Sequence, residues 1–221
     1  MEPMRSEEPP AGYLEGVRAL ATKHEVVFIF DEVSTGFRPS AVGVQPVVGV
    51  VPDMAVFAKS ISNGYPMGAV VGKRSVMEPA SQMFVSSTYW SDTIGLRAAL
   101  TTLKEVASRG VPAYLAEFGG RLQDRINEIA DDVDLAVQCT GVAWHPHLDF
   151  DEPDPQVQTQ LATLYIQEMA KRGCHGYASF YLNAAQGDNE LNQTVDAAQE
   201  TFTIMAAALH SNQLEDHLEC D

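Results

Sequence analysis

Lys59 ends the apolar run of "MAVFAK" and precedes "SISNGYPMGA", a stretch of small residues and turn formers. Two chemistries suit a lysine at that place. Its stem can pack while the ammonium head escapes to solvent. Alternatively, a partly dry setting favours the neutral amine, a nucleophile for carbonyl carbons that forms Schiff bases. The small residues after it would let backbone come close to a ligand. Asp31 ends a second apolar run, "VVFIF", and is equally two-sided. It can cap the residues that follow, or it can stand as a fixed anion facing a protonated ligand atom. Asp31 and Val33 are two apart, which in an extended segment puts a charge and an apolar surface on one side. The carboxyl edge of an open parallel sheet is where ligands bind.

A third stretch, "SSTYWSD" at 86–92, leads into a helix. Ser87 and Thr88 offer hydroxyls, beside backbone N–H groups, for a phosphate; Ser91 or Asp92 could equally cap the helix. His145 and His147, in "WHPH", could share a strand face, but the sequence supplies no third ligand for a metal. The acidic run Asp149, Asp151, Glu152, Asp154 lacks the central glycine of a calcium loop and reads as solvated. No P-loop, dinucleotide fingerprint or nucleophile elbow occurs.

Alternating strands and helices must position these groups, which predicts an α/β fold. "AGYLEGVRALATKH" has helical spacing through Tyr13, Leu14, Val17, Leu20 and Ala21. "EVVFIFDEV" is continuously apolar through Phe30 and predicts a strand buried on both faces. "STGFRPSAVGVQPVVGVVPD" reads as loop. "DMAVFAK" and the run from Gly68 to Gly72 predict two more strands. "SDTIGLRAALTTLKEVASRG" predicts a helix stopped by Gly110, and another spans Pro112 to about Ala130. "LAVQCTGVAWHPHLDF" predicts one or two strands. Helices over "VQTQLATLYIQEMAKRG" and "NELNQTVDAAQETFTIMAAALHSNQ" frame a short strand, "GYASFYLN".

The chain has 221 residues and a net charge of −16, which argues against nucleic acid or an anionic membrane surface as partner. No apolar run is long enough to span a bilayer. Cys139, Cys174 and Cys220 are scattered and form no C-x-x-C pair, as in a cytoplasmic protein with reduced thiols.

In order and spacing, "FIFDEVSTGFR", "PDMAVFAKSISNGYPMGAVVG" and "SSTYWSDTIGLRAALTTLKEV" resemble the class III aminotransferases, fold-type I enzymes dependent on pyridoxal phosphate (PLP). Residues 28–106 carry this resemblance; the lead-in from Glu2 to His24 fits it, and the remainder to about residue 210 fits more loosely. The resemblance implies that residues 1–108 are the second half of a PLP-binding large domain with a mostly parallel sheet. It implies that residues 109–221 form a small α+β C-terminal domain. It assigns Lys59 to holding PLP as a Schiff base and moving the Cα proton. It assigns Asp31 to the pyridinium nitrogen, Val33 to the ring face, and Thr88 to the cofactor phosphate of the neighbouring subunit in a homodimer. The implied reaction moves an amino group from a small amino donor to a keto or aldehyde acceptor. The alternatives are a glutamate-1-semialdehyde-type 2,1-aminomutase, which "STYWSD" disfavours, and a carbon lyase or decarboxylase. Arg5, Arg38 and Arg97 could each recognise a substrate carboxylate or simply be solvated. Because the phosphate-gripping turn and the stacking aromatic of such enzymes have no counterpart in this sequence, the expectation is an N-terminally truncated fragment. Such a fragment would be weakly active or inactive, with "VVFIF" lacking sheet neighbours.

Overall fold

The computed structural model describes residues 1–86, 88–89 and 91–219. The chain divides into two compact units, Met1–Tyr114 and Leu115–Asp221.

In the first unit, helix α1 (Tyr13–Lys23) is followed by strand β1 (Ile29–Asp31), helix α2 (Gln45–Val48) and strand β2 (Met54–Phe57). A 3₁₀ turn at Lys59–Ile61, strand β3 (Ala69–Gly72), helix α3 (Arg74–Met77), a second 3₁₀ turn at Glu78–Gln82 and helix α4 (Thr93–Ser108) follow. The sheet order is β1-β2-β3. β1 and β2 run parallel with Asp31 opposite Val56, whereas β3 returns antiparallel with Ala69 opposite Phe57. The sheet of this unit is therefore mixed. The β2–β3 connection is short enough for an antiparallel return, whereas a parallel neighbour needs a longer crossover.

The "VVFIF" expectation needs correction. Only Ile29–Asp31 pair as strand, and of these only Phe30 is buried; Val26, Val27 and Ile29 are exposed. One face of β1 is packed. Phe28 meets Phe30 edge-on at 5.2 Å, a geometry that ring quadrupoles favour, and nearby in sequence Phe37 of the following loop lies 5.0 Å from Phe57 of β2 with the rings tilted.

Asp53, at the entrance to β2, ties this unit together. Its carboxylate accepts from Arg18 of α1 (2.8 Å), from Lys73 after β3 (2.7 Å) and from the backbone N–H of Phe28 before β1 (2.9 Å). The Lys73 and Phe28 bonds, joined by Arg18, hold its carboxyl well below the usual range. In α4, Asp92 is the N-cap and accepts from the Ile94 N–H at 2.9 Å. Gly110, with φ +61°, follows the helix as expected of a stop.

In the second unit, helix α5 (Val111–Asp132), whose first turn crosses the unit boundary, leads to a hairpin of β4 (Val137–Thr140) and β5 (His147–Phe150). Helices α6 (Pro155–Lys171), α7 (Asp188–His210) and α8 (Leu214–His217) follow. Phe118, Leu122, Ile126 and Ile129 recur at helical spacing on the buried side of α5. Leu161, Leu164 and Tyr165 of α6 and Phe202 and Met205 of α7 fill the same core. The predicted strand "GYASFYLN" is absent. A single bridge between Ser179 and His147 stands in its place, and α8 is an element the sequence did not announce. Among the described residues no helix is long and apolar enough to cross a membrane.

Glu168 of α6 is a buried carboxylate satisfied by cations. Lys171 reaches one oxygen at 2.7 Å and Arg172 the other at 2.8 Å, and Gln167 adds a bond at 3.0 Å. Burial alone would raise this carboxyl, but the three donors outweigh burial and hold it at about 2, against an ordinary 4.5. With the folded value below the unfolded one, its stabilising contribution is present above pH 4.5 and is lost as pH falls toward 2. Glu168→Gln should lower stability by about 1–3 kcal/mol at neutral pH. It should also flatten the loss of stability between pH 5 and 2.5. Thermal melts across that range check both.

Candidate active site

The carboxyl ends of β1 and β2 lie side by side because their parallel register sets Asp31 against Val56. From that edge the chain makes two turns. After β2, Ala58 is still extended and Lys59 then enters the left-handed region at φ +48°. That conformation is uncommon outside glycine and costs on the order of 1 kcal/mol for a side-chain-bearing residue. Lys59 is thus the first residue of a turn rather than the last residue of the strand. Its side chain is exposed, and its Nζ donates to Oγ of Ser34 at 2.8 Å.

After β1, the chain turns through residues 33–37. Asp31 is exposed, and its Oδ1 accepts from the Val33 N–H at 3.1 Å. The expected strand-like alternation of Asp31 and Val33 does not hold, because the strand stops at Asp31. A local hydrogen bond links the two instead, and Val33 sits half-buried at the head of the turn. Among the described residues no ion pair joins Lys59 to Asp31, so both charged groups are presented at one sheet edge without neutralising each other. Ser87 lies outside the described residues. Thr88 is exposed in the segment before α4, and no hydrogen bond among the described residues joins it to Lys59, Asp31 or Val33.

Two residues that carry this geometry escaped sequence reading. One is Ser34, the partner of Lys59. The other is Glu32, which is 1% exposed. Its Oε2 accepts from the Val44 N–H at 2.7 Å and so ties the far end of the loop to the end of β1. Gly43 (φ +96°) makes this possible, since a Cβ there would lie 2.6 Å from the same oxygen. Gly36 is equally constrained: a Cβ would meet the Glu32 carbonyl and the Phe57 ring, both at 2.7 Å. Arg38 Nε donates to the Ser34 carbonyl at 2.8 Å. The Ser34 turn is therefore fixed from both ends. On the Lys59 side, the Ser62 hydroxyl donates to the Tyr65 carbonyl. Gly95 of α4 packs so closely on Pro66 that a Cβ would stand 2.8 Å from its carbonyl oxygen.

A signal for Glu32 was present. It neighbours an exposed strand-end carboxylate, and adjacent strand residues face opposite sides, so a second acid there points inward. Ser34 carried no such signal, because its contact depends on two turns meeting.

The other candidates lie elsewhere. His147 Nε2 is 3.4 Å from Asp149 Oδ2 in the β4–β5 hairpin, while the His145 ring lies tilted against Tyr181, 4.5 Å between centroids. Among the described residues no group of His, Cys, Asp and Glu could hold a metal ion. Cys139 is buried and Cys174 half-buried, both as free thiols; Cys220 lies outside the described residues.

The sequence matches the model of the class III aminotransferases (Aminotransferase class-III) over residues 2–210. The chain belongs to that family. It is 31% identical over 201 residues to 3-aminobutyryl-CoA aminotransferase of Cloacimonas acidaminovorans (strain Evry), covering 88% of this chain and 48% of that protein. FumI of Sphingopyxis sp. MTA144, solved in its PLP internal aldimine form, matches with a TM-score of 0.87 at 22% identity, over 96% of this chain and 52% of FumI. An omega-transaminase from Sphaerobacter thermophilus matches with a TM-score of 0.77 at 24% identity, over 89% of this chain and 48% of the enzyme. The chain thus spans about half the length of these relatives, and it shares their fold.

Glu32 supplies a pH test of the loop. Burial raises its carboxyl above 4.5, and the Val44 N–H offsets this only in part. With the folded value raised, its contribution is intact below pH 4.5 and is lost as pH climbs through the folded value. Glu32→Gln can keep an acceptor for Val44 without the charge. The variant should gain on the wild type in melting temperature as pH rises from 4 to 7. A difference independent of pH would contradict this account.

Proposed function

We propose that this chain carries the lysine-bearing half of the active site of a pyridoxal-phosphate-dependent aminotransferase. The observation that supports this most is the convergence of Lys59, Asp31 and Val33 on two adjacent strand ends of a class III aminotransferase chain. The donor set fits the cofactor. An exposed primary amine suits an aldehyde carbon, an unpaired carboxylate suits a protonated ring nitrogen, and a half-buried valine beside it suits a ring face. When bound, pyridoxal phosphate supplies an electrophilic carbon and an electron-withdrawing ring.

On this reading Lys59 would hold the aldehyde carbon through Nζ, and its amine would take the proton from the substrate Cα and return it. Asp31 holds a proton on the ring nitrogen by charge. Its Oδ1 is steadied for that task by the Val33 N–H. Val33 covers one ring face and excludes water there. Thr88, exposed and not hydrogen-bonded to this cluster among the described residues, suits the phosphate of a neighbouring subunit's site in a homodimer. Residues 1–108 then belong to a large, mostly parallel cofactor-binding domain, and residues 109–221 form the small C-terminal domain. The substrates are a small amino donor and a keto or aldehyde acceptor. Free, reduced-type cysteines and the absence of a membrane-crossing helix among the described residues fit a cytoplasmic enzyme.

Borohydride reduction of the holoenzyme followed by peptide mass spectrometry tests this. The cofactor adduct should lie on Lys59, and Lys59→Ala should lose both the adduct and at least about a thousandfold in amino transfer, the order expected when the reacting group itself is removed. An adduct on another lysine, or amino transfer that survives Lys59→Ala, would overturn the assignment.

A further inference from the structure

We propose that Ser34 is a positioning residue for Lys59, holding its free amine at the strand edge until a carbonyl carbon arrives. The proposal rests on the reading of Lys59 as the carbonyl-binding amine.

Three observations carry it. First, the 2.8 Å bond from Lys59 Nζ to Ser34 Oγ is a contact across 25 residues of sequence, between the turn after β2 and the turn after β1. A lysine side chain has four rotatable bonds and about 2 kcal/mol of rotamer entropy to lose, so an exposed one settles on a partner only if that partner is already in place. Second, Ser34 is in place. Its carbonyl is held by Arg38, and the Gly36 N–H donates to the Glu32 carbonyl at 2.9 Å within the same turn. The Gly36 close approach and the Glu32–Val44 bond anchor that turn to β2 and to the loop's far end. Third, the Lys59 backbone is itself held in the left-handed region. The chain thus fixes both ends of this contact, the Cα that carries the amine and the hydroxyl that receives it. Asp31 is the stronger acceptor by charge, yet it makes no ion pair with Lys59 and keeps its Oδ1 on Val33. A neutral partner for the amine leaves that carboxylate available for another cation.

An amine held against a fixed partner has less freedom to approach a reagent's carbonyl carbon, so labelling reads the contact directly without any cofactor. The 221-residue chain is treated with a trace of acetic anhydride, and acetylation of Lys59 is read by mass spectrometry relative to Lys73, which is paired with Asp53 and serves as the internal standard. Ser34→Ala should raise the Lys59/Lys73 ratio about two- to tenfold, the factor a single hydrogen bond contributes. Ser34→Thr keeps the hydroxyl and should restore the wild-type ratio, which loss of packing alone would not do. An unchanged ratio in Ser34→Ala, or a Thr variant that behaves like the Ala variant, overturns the proposal. The borohydride experiment on the holoenzyme is separate: a cofactor adduct away from Lys59 defeats the aminotransferase assignment even where the Ser34 effect on labelling stands.

Discussion

The first unit depends on one carboxylate. Asp53 receives a guanidinium from α1, an ammonium from beyond β3 and a backbone N–H from the approach to β1. The Asp53 N–H in turn donates to the Phe28 carbonyl at 2.7 Å. Residues 28 and 53 are thereby locked together at the start of the two parallel strands. Since β1 and β2 advance in step from that point, the lock decides what meets at their other ends. A slip of one residue would bring Asp31 against a different partner and would move the Lys59 turn away from Ser34. The polar anchor at the amino end therefore fixes the chemistry at the carboxyl end. Partly buried charge of this kind is worth more as a specifier of register than as a source of stability.

The same division of labour recurs in the loop after β1. Glu32 is an acid placed where burial disfavours its charge, and it is tolerated because Val44 offers an N–H and Gly43 offers room. A residue chosen for stability alone would be apolar. What Glu32 contributes is a fixed distance between the two ends of a long irregular segment. The Ser34 turn inherits its rigidity from that distance.

Much of this architecture was legible in the sequence. Lys59 and Asp31 stood out because polar residues closed apolar runs, and both do lie at adjoining strand ends. α4 was marked at both termini by Asp92 and Gly110, and α5, α6 and α7 lie close to their expected spans. The failures have physical causes. "VVFIF" reads as a fully buried strand because hydrophobic pattern reports what a residue prefers, whereas burial also requires something on the other side; Val26, Val27 and Ile29 have one face open. "GYASFYLN" has strand composition but makes a single bridge, since pairing needs a partner edge as well as propensity. The Asp31–Val33 alternation failed where the strand ended one residue after Phe30. Ser34 was invisible because its role arises where two turns meet in space, and no local pattern encodes such a meeting.

The exposed valines have a consequence for the chain as a colloid. Val26 and Val27 before β1, Ile29 on β1, Val70 and Val71 on β3, and Phe84, which is 96% exposed, give the first unit exposed apolar surface. In neutral solution a net charge of −16 opposes contact between such surfaces on different molecules. That repulsion vanishes near pH 4.6, the isoelectric point that the composition implies. Mild acid therefore removes the long-range barrier to self-association while the apolar surfaces keep their attraction. Salt does the same at neutral pH by shortening the reach of charge to within about 10 Å at 0.1 M.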